Sequence, residues 1–128
     1  MINILGQIMV YVNNQDEAVK FWTEKVGFTV ISEEDNGEGM RWIEIAPQKN
    51  SQTTIVLHNK EVIAKMGTGI NLETPSLLFF TEDIETLHDK LSNNNVLVGE
   101  IMPMHLGKTF NFADNEQNYF AVAERISK

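Results

Sequence analysis

The chain has 128 residues, of which 42% are hydrophobic and 22% are charged, and its formal net charge is -8. This length and composition are those of an ordinary globular domain and exclude a disordered chain. The acidic balance argues against nucleic-acid binding, which needs a basic face to neutralise phosphates. The absence of cysteine excludes disulfides, thiolate metal sites and cysteine nucleophiles.

The sequence gives no indication of a membrane segment. No apolar run approaches the roughly 20 residues that a spanning helix needs. The N-terminus lacks the basic stretch and long apolar stretch of a signal peptide. We therefore expect a cytoplasmic protein without membrane or nucleic-acid partners.

The first half of the chain predicts a strand, a helix and then three strands. Residues 4–12 are rich in β-formers. Asn14 and Glu17 have the spacing of a capping box, where a helix begins, and Gly27 is placed to end that helix. Three further strands follow from β-forming runs and from Asn-Gly turn chemistry, at 28–33, 40–46 and 53–58.

The second half repeats this order. Residues 76–81 predict a strand, and Ile84, Leu87 and Leu91 mark an amphipathic helix. Strands are then predicted at 96–102, 108–113 and 119–124. When the end of the first strand is aligned with the end of the fifth, the strand and helix patterns of the two halves coincide, although few residues are identical. The repeat is therefore one of pattern.

Two βαβββ modules are expected within one domain spanning 1–128, at about 1–60 and 75–128. Residues 61–74 form the linker, with a short helix near 61–66. Neither module can bury both faces of a four-stranded sheet alone, so we predict an α+β fold. In it, the modules form one concave mixed sheet with helices on the convex face. The concave side is then a cleft for a small ligand.

Two stretches, together with this paired layout, resemble a known family. The first, at 9–28, has the opening strand, the helix and the Val26-Gly27-Phe28 junction. The second, at 106–118, begins with Leu106-Gly107-Lys108 and continues as Phe-x-Phe-x-Asp to a closing Asn, without the Pro and Gly of the family's turn. The whole chain resembles the vicinal-oxygen-chelate superfamily, which includes glyoxalase I, bleomycin-resistance proteins and extradiol dioxygenases.

The resemblance also implies where a metal would be held. Enzymes of this family usually bind a divalent metal with one ligand from each of four strands. Those positions fall here on Gln7, on Ile55 or Val56, on Ser76 and on Ala121. None of these is the imidazole, carboxylate or thiolate that such metals prefer. We therefore expect neither the family metal nor another cofactor, which removes the main reason to predict metal-dependent chemistry.

The same four strand positions are expected to contact an organic ligand instead. Gln7 and Ser76 offer hydrogen-bonding groups, and Val56 and Ala121 are expected to line the cleft. Each polar residue can equally be satisfied by the protein itself.

The three histidines have no metal-ligand spacing. His58 shares a strand face with Val56. It is either a general base or ligand contact near neutral pH, or an exposed residue at the strand end. His105 lies in a loop near the expected cleft mouth and either contacts the ligand or faces solvent. His88 is expected on the second helix, partly exposed.

Trp42 and Glu44 share one strand face, and the residues between and beside them share the other. If the first face lines the cleft, Trp42 offers a stacking surface and Glu44 a carboxylate for a cation. If the second face does, Trp42 packs beneath the helices. The sequence leaves both arrangements open.

Three functions are consistent with these features. The first is a small-molecule binding protein of the bleomycin-resistance type, which sequesters an organic ligand, such as a cationic antibiotic, without metal. The second is a metal-free lyase or isomerase with His58 or Glu44 as base. The third is a metalloenzyme with displaced ligands, of glyoxalase (lyase) or dioxygenase type. Because family members often complete their cleft from two chains, we also expect a homodimer, with 101–106 as a candidate contact.

Overall fold

The chain divides into two compact units, Met1–Thr74 and Pro75–Lys128. The computed structural model describes residues 1–105 and 107–125. Leu106, part of the second family-like stretch and of the predicted dimer contact, therefore lies outside the described residues.

A mixed four-stranded sheet forms the first unit, in the order β1-β4-β3-β2. Strands β1 and β4 run parallel, and the other pairs are antiparallel. The elements are β1 (Gln7–Val12), α1 (Gln15–Lys20) with a π-helical continuation (Phe21–Val26), β2 (Thr29–Asp35), β3 (Arg41–Ala46), β4 (Thr54–Asn59) and α2 (Lys60–Lys65). The last of these confirms the short helix predicted near 61–66, and residues 61–74 belong to this unit.

Helix α1 begins and ends as the sequence predicts, but its second half is not α-helical. The Asn14 side chain accepts a hydrogen bond from the Glu17 backbone N–H at 3.0 Å, and Gly27 ends the helix with φ of 96°, a conformation open to glycine. At the start of the π-helical continuation, the Thr23 hydroxyl donates to the Val19 carbonyl at 2.7 Å. A side chain that occupies a helical acceptor in this way favours a local departure from α geometry.

Gln15 joins α1 to one face of the first sheet. Its Nε2 donates to the carbonyl of Arg41 at 2.7 Å and to that of Leu57 at 3.0 Å, so it links the helix to β3 and β4. Arg41 also pairs with Asp16 of the helix at 2.9 Å. The apolar side chains of this face are buried and form the core of the unit, namely Val10, Val12, Ile43, Ile45 and Leu57.

The second unit repeats this arrangement, with the sheet order β5-β8-β7-β6. Strands β5 and β8 are parallel, and the other pairs are antiparallel. The elements are β5 (Leu78–Thr81), α3 (Ile84–Asn93), β6 (Met102–Met104), β7 (Gly107–Ala113) and β8 (Tyr119–Glu124). Asp83 caps α3 as Asn14 caps α1, since its side chain accepts from the backbone N–H three residues later. The predicted α+β class with two βαβββ modules is confirmed.

The strand predicted at 96–102 is wrong. Only a single bridge, Val98 to Phe112, forms in its first part, and β6 begins at Met102, paired with Thr109. The pairing register therefore shifts by one residue between these contacts, which is the geometry of a β-bulge. Such a shift depends on the partner strand β7 and leaves no local sequence pattern.

None of the described helices is long and apolar enough to cross a bilayer. A single domain spanning 1–128 stays a prediction.

We predict that Gln15→Leu lowers the free energy of unfolding by about 1–3 kcal/mol, because it removes both hydrogen bonds to strand carbonyls at the helix–sheet junction. Urea denaturation with an unchanged slope would measure this loss. Gln52→Leu, the same substitution at an exposed turn position, is the matched control and should change stability little. Equal effects of the two substitutions would contradict the assigned role of Gln15.

Candidate functional site

Alternation along the strands leaves one face of the first sheet turned away from α1. The register places on it Gln7 beside Thr54, Met9 beside Val56 and Tyr11 beside His58. On the neighbouring strands, Trp42 lies beside His58, Glu44 beside Val56, and Ser32 beside Glu44. We call this set of nine side chains the site face. It resolves the ambiguity left by the sequence, because Trp42 and Glu44 lie on the same face as Val56 and His58.

A row of three rings crosses the site face. The His58 ring is stacked with Tyr11, with centroids 6.0 Å apart and an interplanar angle of 26°. On its other side lies Trp42, at 6.4 Å and 33°. All three side chains are half-buried, so the alternative of an exposed His58 at the strand end is wrong. The row presents aromatic surface next to polar groups.

The surroundings of His58 disfavour its charged form. Its Nδ1 is buried and has no hydrogen-bond partner among the described residues. Burial lowers the pKa of His58 below its ordinary value, because desolvation disfavours the charged form. Burial therefore works against a positive charge on this ring.

Glu44 carries a hydrogen-bonded carboxylate at the centre of the site face. It accepts from the Thr54 hydroxyl at 2.6 Å and from the Ser32 hydroxyl at 3.1 Å. A longer bond, 3.4 Å, comes from the Gln7 side-chain amide. The Thr54 hydrogen bond is the main cause of the lowered pKa of Glu44, with smaller contributions from Ser32 and Gln7. Glu44 forms no ion pair with any described residue.

The positions implied for the family metal do not offer a suitable set of ligands. Gln7 and Val56 lie on the site face, whereas Ile55 lies on the opposite one. Val56 is buried and apolar, and the Gln7 amide donates to Glu44. Ser76 is exposed ahead of β5, and Ala121 has no donor atom. Divalent transition metals need imidazole, carboxylate or thiolate, so these residues do not fit that group.

Three carboxylates come within metal-binding distance of one another elsewhere, at the start of α3. Asp83 caps the helix, Glu124 accepts from the Ile84 backbone N–H at 3.1 Å, and Glu85 pairs with Lys108 at 2.8 Å. Each carboxylate thus has a structural partner. These contacts explain the cluster without a metal.

The second unit has a cavity of about 560 Å³, within the range of small-molecule sites. Its lining includes Gly99, Glu100, Met102, Met104 and Asn111, with Ala121 beside them. Ala121 pairs with Asn111 and with the first residue of β5. The small side chain at position 121 leaves room in this cavity.

The other two histidines lie in the second unit. His88 is partly exposed, as predicted, and hydrogen-bonds through Nε2 with the Gly99 carbonyl at 2.8 Å. Its ring also meets Phe110 edge-on at 5.0 Å, so it ties α3 to the neighbouring segment. His105 is exposed in the turn after β6, and its role in ligand binding stays a prediction.

Four members of the site face were not predicted from the sequence. Met9 and Tyr11 share the strand face of Gln7, and Thr54 shares that of His58, so strand alternation could have found these three. Ser32 could not, since its place beside Glu44 depends on an irregularity in the β2–β3 register between Val30 and Ser32.

We predict that His58 takes up its proton below pH 6.5 in the folded protein, and NMR titration of its imidazole resonances would measure this. The unfolded chain protonates His58 near pH 6.5, so it binds more protons than the folded chain below that pH. The stability contribution of neutral His58 is therefore complete above about pH 6.5 and falls as the pH drops towards the folded pKa. His58→Gln should lack this dependence. A His58 titration above pH 6.5 would contradict the prediction.

Comparison with known proteins agrees with the fold. A family model described as Glyoxalase/Bleomycin resistance protein/Dioxygenase superfamily matches residues 4–122. The chain is 35% identical over 125 residues to the uncharacterized protein YetH of Bacillus subtilis, covering 97% of this chain and 100% of that protein.

Two solved structures extend the comparison. TnmS3, an antibiotic binding protein from Streptomyces sp. CB03234, has a TM-score of 0.79 at 24% identity, over 96% of each chain. A superfamily member from Sphaerobacter thermophilus has a TM-score of 0.81 at 20% identity, over 97% of this chain and 98% of that one. These likenesses show a shared fold, and the family model covers nearly the whole sequence. The chain therefore belongs to the glyoxalase/bleomycin resistance protein/dioxygenase superfamily.

Proposed function

We propose that this protein binds a small, planar organic molecule on the site face without the metal that enzymes of its superfamily use. The observation that carries the proposal is the row of Tyr11, His58 and Trp42. Three adjacent, half-buried rings offer a surface on which a planar compound can stack, and such contacts add to the gain from apolar burial. His58 and Val56, both expected from the sequence to contact a ligand, lie within or beside this row.

The residues at the metal positions support binding without metal. Gln7 of the site face supplies an amide, which suits a contact with an organic ligand, whereas Val56 is almost fully buried and offers little surface. Ser76 and Ala121, in the second unit, likewise lack metal-binding groups. Ser76, Ala121 and His105 stay predicted ligand contacts of the second unit. The cavity beside Ala121 supports that residue's inclusion.

Likeness to an antibiotic binding protein supports the choice of ligand class. TnmS3 shares the fold over almost the full length of both chains. Taken together with the aromatic row, this likeness favours an antibiotic-like planar compound, with sequestration as the function.

A metal-free lyase or isomerase is the second candidate. It is favoured by one observation, the lowered pKa of His58, because a neutral imidazole near pH 7 can act as a general base. Turnover of a bound compound that is lost in His58→Gln, with binding retained, would favour this enzyme over the binding protein.

A homodimer and a cytoplasmic location stay predictions. The predicted dimer contact at 101–106 includes the exposed Met102 and Met104 of edge strand β6, and an uncovered apolar edge favours association. Sedimentation velocity showing only monomer would contradict the dimer.

We predict that EDTA-treated protein is stabilised by at least one compound in a panel of planar aromatic antibiotics, because ligand binding to the folded state raises the melting temperature. Trp42→Ala should weaken that binding at least about tenfold, as expected for a central aromatic contact. Fluorescence titration of the wild-type protein and calorimetry of the variants would measure affinity.

Phe80→Ala is the control, since Phe80 is an exposed ring in the second unit. It should leave the affinity almost unchanged. The proposal fails if no compound binds until a divalent metal is added, or if the two substitutions weaken binding equally.

A further inference from the structure

We infer that the ligand carries a cationic nitrogen, which pairs with Glu44 while the planar part of the ligand lies over the adjacent rings. This inference rests on the proposed function and adds the charge of the ligand to it. The chemical class is a planar aromatic compound with an ammonium, amidinium or ring-nitrogen cation.

The first step is the charge of Glu44. All three of its hydrogen-bond donors, Thr54, Ser32 and Gln7, are neutral groups. They fix the position of the carboxylate and stabilise its ionised form, but they do not neutralise it. No described Lys or Arg pairs with Glu44. The site face therefore has a positioned negative charge without a counter-ion from the described part of the chain.

Arg41, which lies three positions before Glu44 in β3, differs from Glu44 in both its sheet face and its partners. Its guanidinium lies on the opposite face and is paired with both Asp16, at 2.9 Å, and Glu33, at 2.8 Å. The cation nearest in sequence to Glu44 is thus committed to the helix-facing side of the sheet. Strand alternation keeps it away from the site face.

The second step is the distance between Glu44 and the rings. Glu44 and Trp42 lie two residues apart on one face of β3, which places their Cα atoms roughly 7 Å apart. A cation paired with the carboxylate then has the Trp42 ring as its neighbour on the same strand face, and a contact with the face of that ring would be a cation–π interaction. The Glu44 carboxylate and the Trp42 ring would therefore both favour a cationic group of the ligand.

The third step concerns the charges that would attract or repel a cationic ligand near Glu44. Burial disfavours the charged form of His58, the titratable ring beside Trp42, and Glu34, which pairs with Trp42 across the β2–β3 ladder, adds a second acidic group. The chain as a whole carries a formal charge of -8, which raises the local concentration of cations. An anionic ligand would meet unfavourable charge at Glu44, at Glu34 and in the net charge of the chain.

Two probes of matched shape test the inference. They are 9-aminoacridine, a planar cation at neutral pH, and acridone, a neutral compound of similar size. We expect the full-length, EDTA-treated protein to bind 9-aminoacridine about tenfold more tightly than acridone, the size expected for one charge-assisted hydrogen bond between the cation and the Glu44 carboxylate. Glu44→Gln should remove this preference and leave acridone binding within about twofold. Calorimetry at low and high salt would measure both affinities.

Glu24→Gln is the control, because Glu24 is an exposed carboxylate on the π-helical continuation of α1. It changes the net charge by the same amount and should leave the preference intact. Where Glu44→Gln fails to fold, NMR of the wild-type protein gives the answer. The Glu44 side-chain carboxyl resonance should shift with 9-aminoacridine and not with acridone.

The outcomes separate the two proposals. Equal binding of both probes, unaffected by Glu44→Gln, overturns the inferred cation and leaves the metal-free binding function standing. A preference that Glu24→Gln abolishes as fully as Glu44→Gln also overturns the inference, since net charge alone would then explain it. Binding of neither probe, with no compound of the wider panel bound, overturns both.

Discussion

Packing of α1 against one face of the first sheet determines which side chains remain for the other face. Gln15 holds the helix to β3 and β4 through two strand carbonyls, and the apolar residues beneath it are almost fully buried. Because side chains alternate along a strand, this choice of face sends Tyr11, Trp42 and Glu44 to the opposite side. A shift of one residue in any strand would reverse the arrangement for that strand.

The carboxylate of Glu44 is held differently from the carboxylates of the surface ion pairs. Surface ion pairs such as Glu61–Lys65, with both side chains mostly exposed, contribute about 0–1 kcal/mol because water screens them. Hydrogen bonds to a charged group contribute more in partly buried surroundings, and Glu44 receives two at 3.1 Å or less. Its position is therefore set by the sheet, as a pre-organised ligand contact requires.

The sequence predicts those parts of the fold that depend on neighbouring residues. The cap at Asn14 and the end at Gly27 depend on side chains within three positions, so their types reveal them. The β-bulge before Met102 depends on pairing with β7, and the register of Ser32 depends on β3. Neither register can be read from the local pattern, and both features escaped prediction.

The candidate site likewise has features that the sequence predicts and features that depend on tertiary contacts. The metal positions and His58 follow from the family resemblance and from strand alternation. The facing of Trp42 and Glu44 could not be chosen from sequence, because both faces of β3 carry plausible core residues: Trp42 on one, and Ile43 with Ile45 on the other. Only the position of α1 decides between them, and that position is a tertiary contact.

Chemical-shift mapping of the metal-free protein with a bound planar ligand tests the central claim most directly. The account predicts that the largest changes fall on the Trp42 indole and on the His58 and Tyr11 rings, without added metal. Changes concentrated instead around Thr109, Asn111 and Ala121, with the ring row unaffected, would contradict it, as would binding that begins only when a divalent metal is supplied.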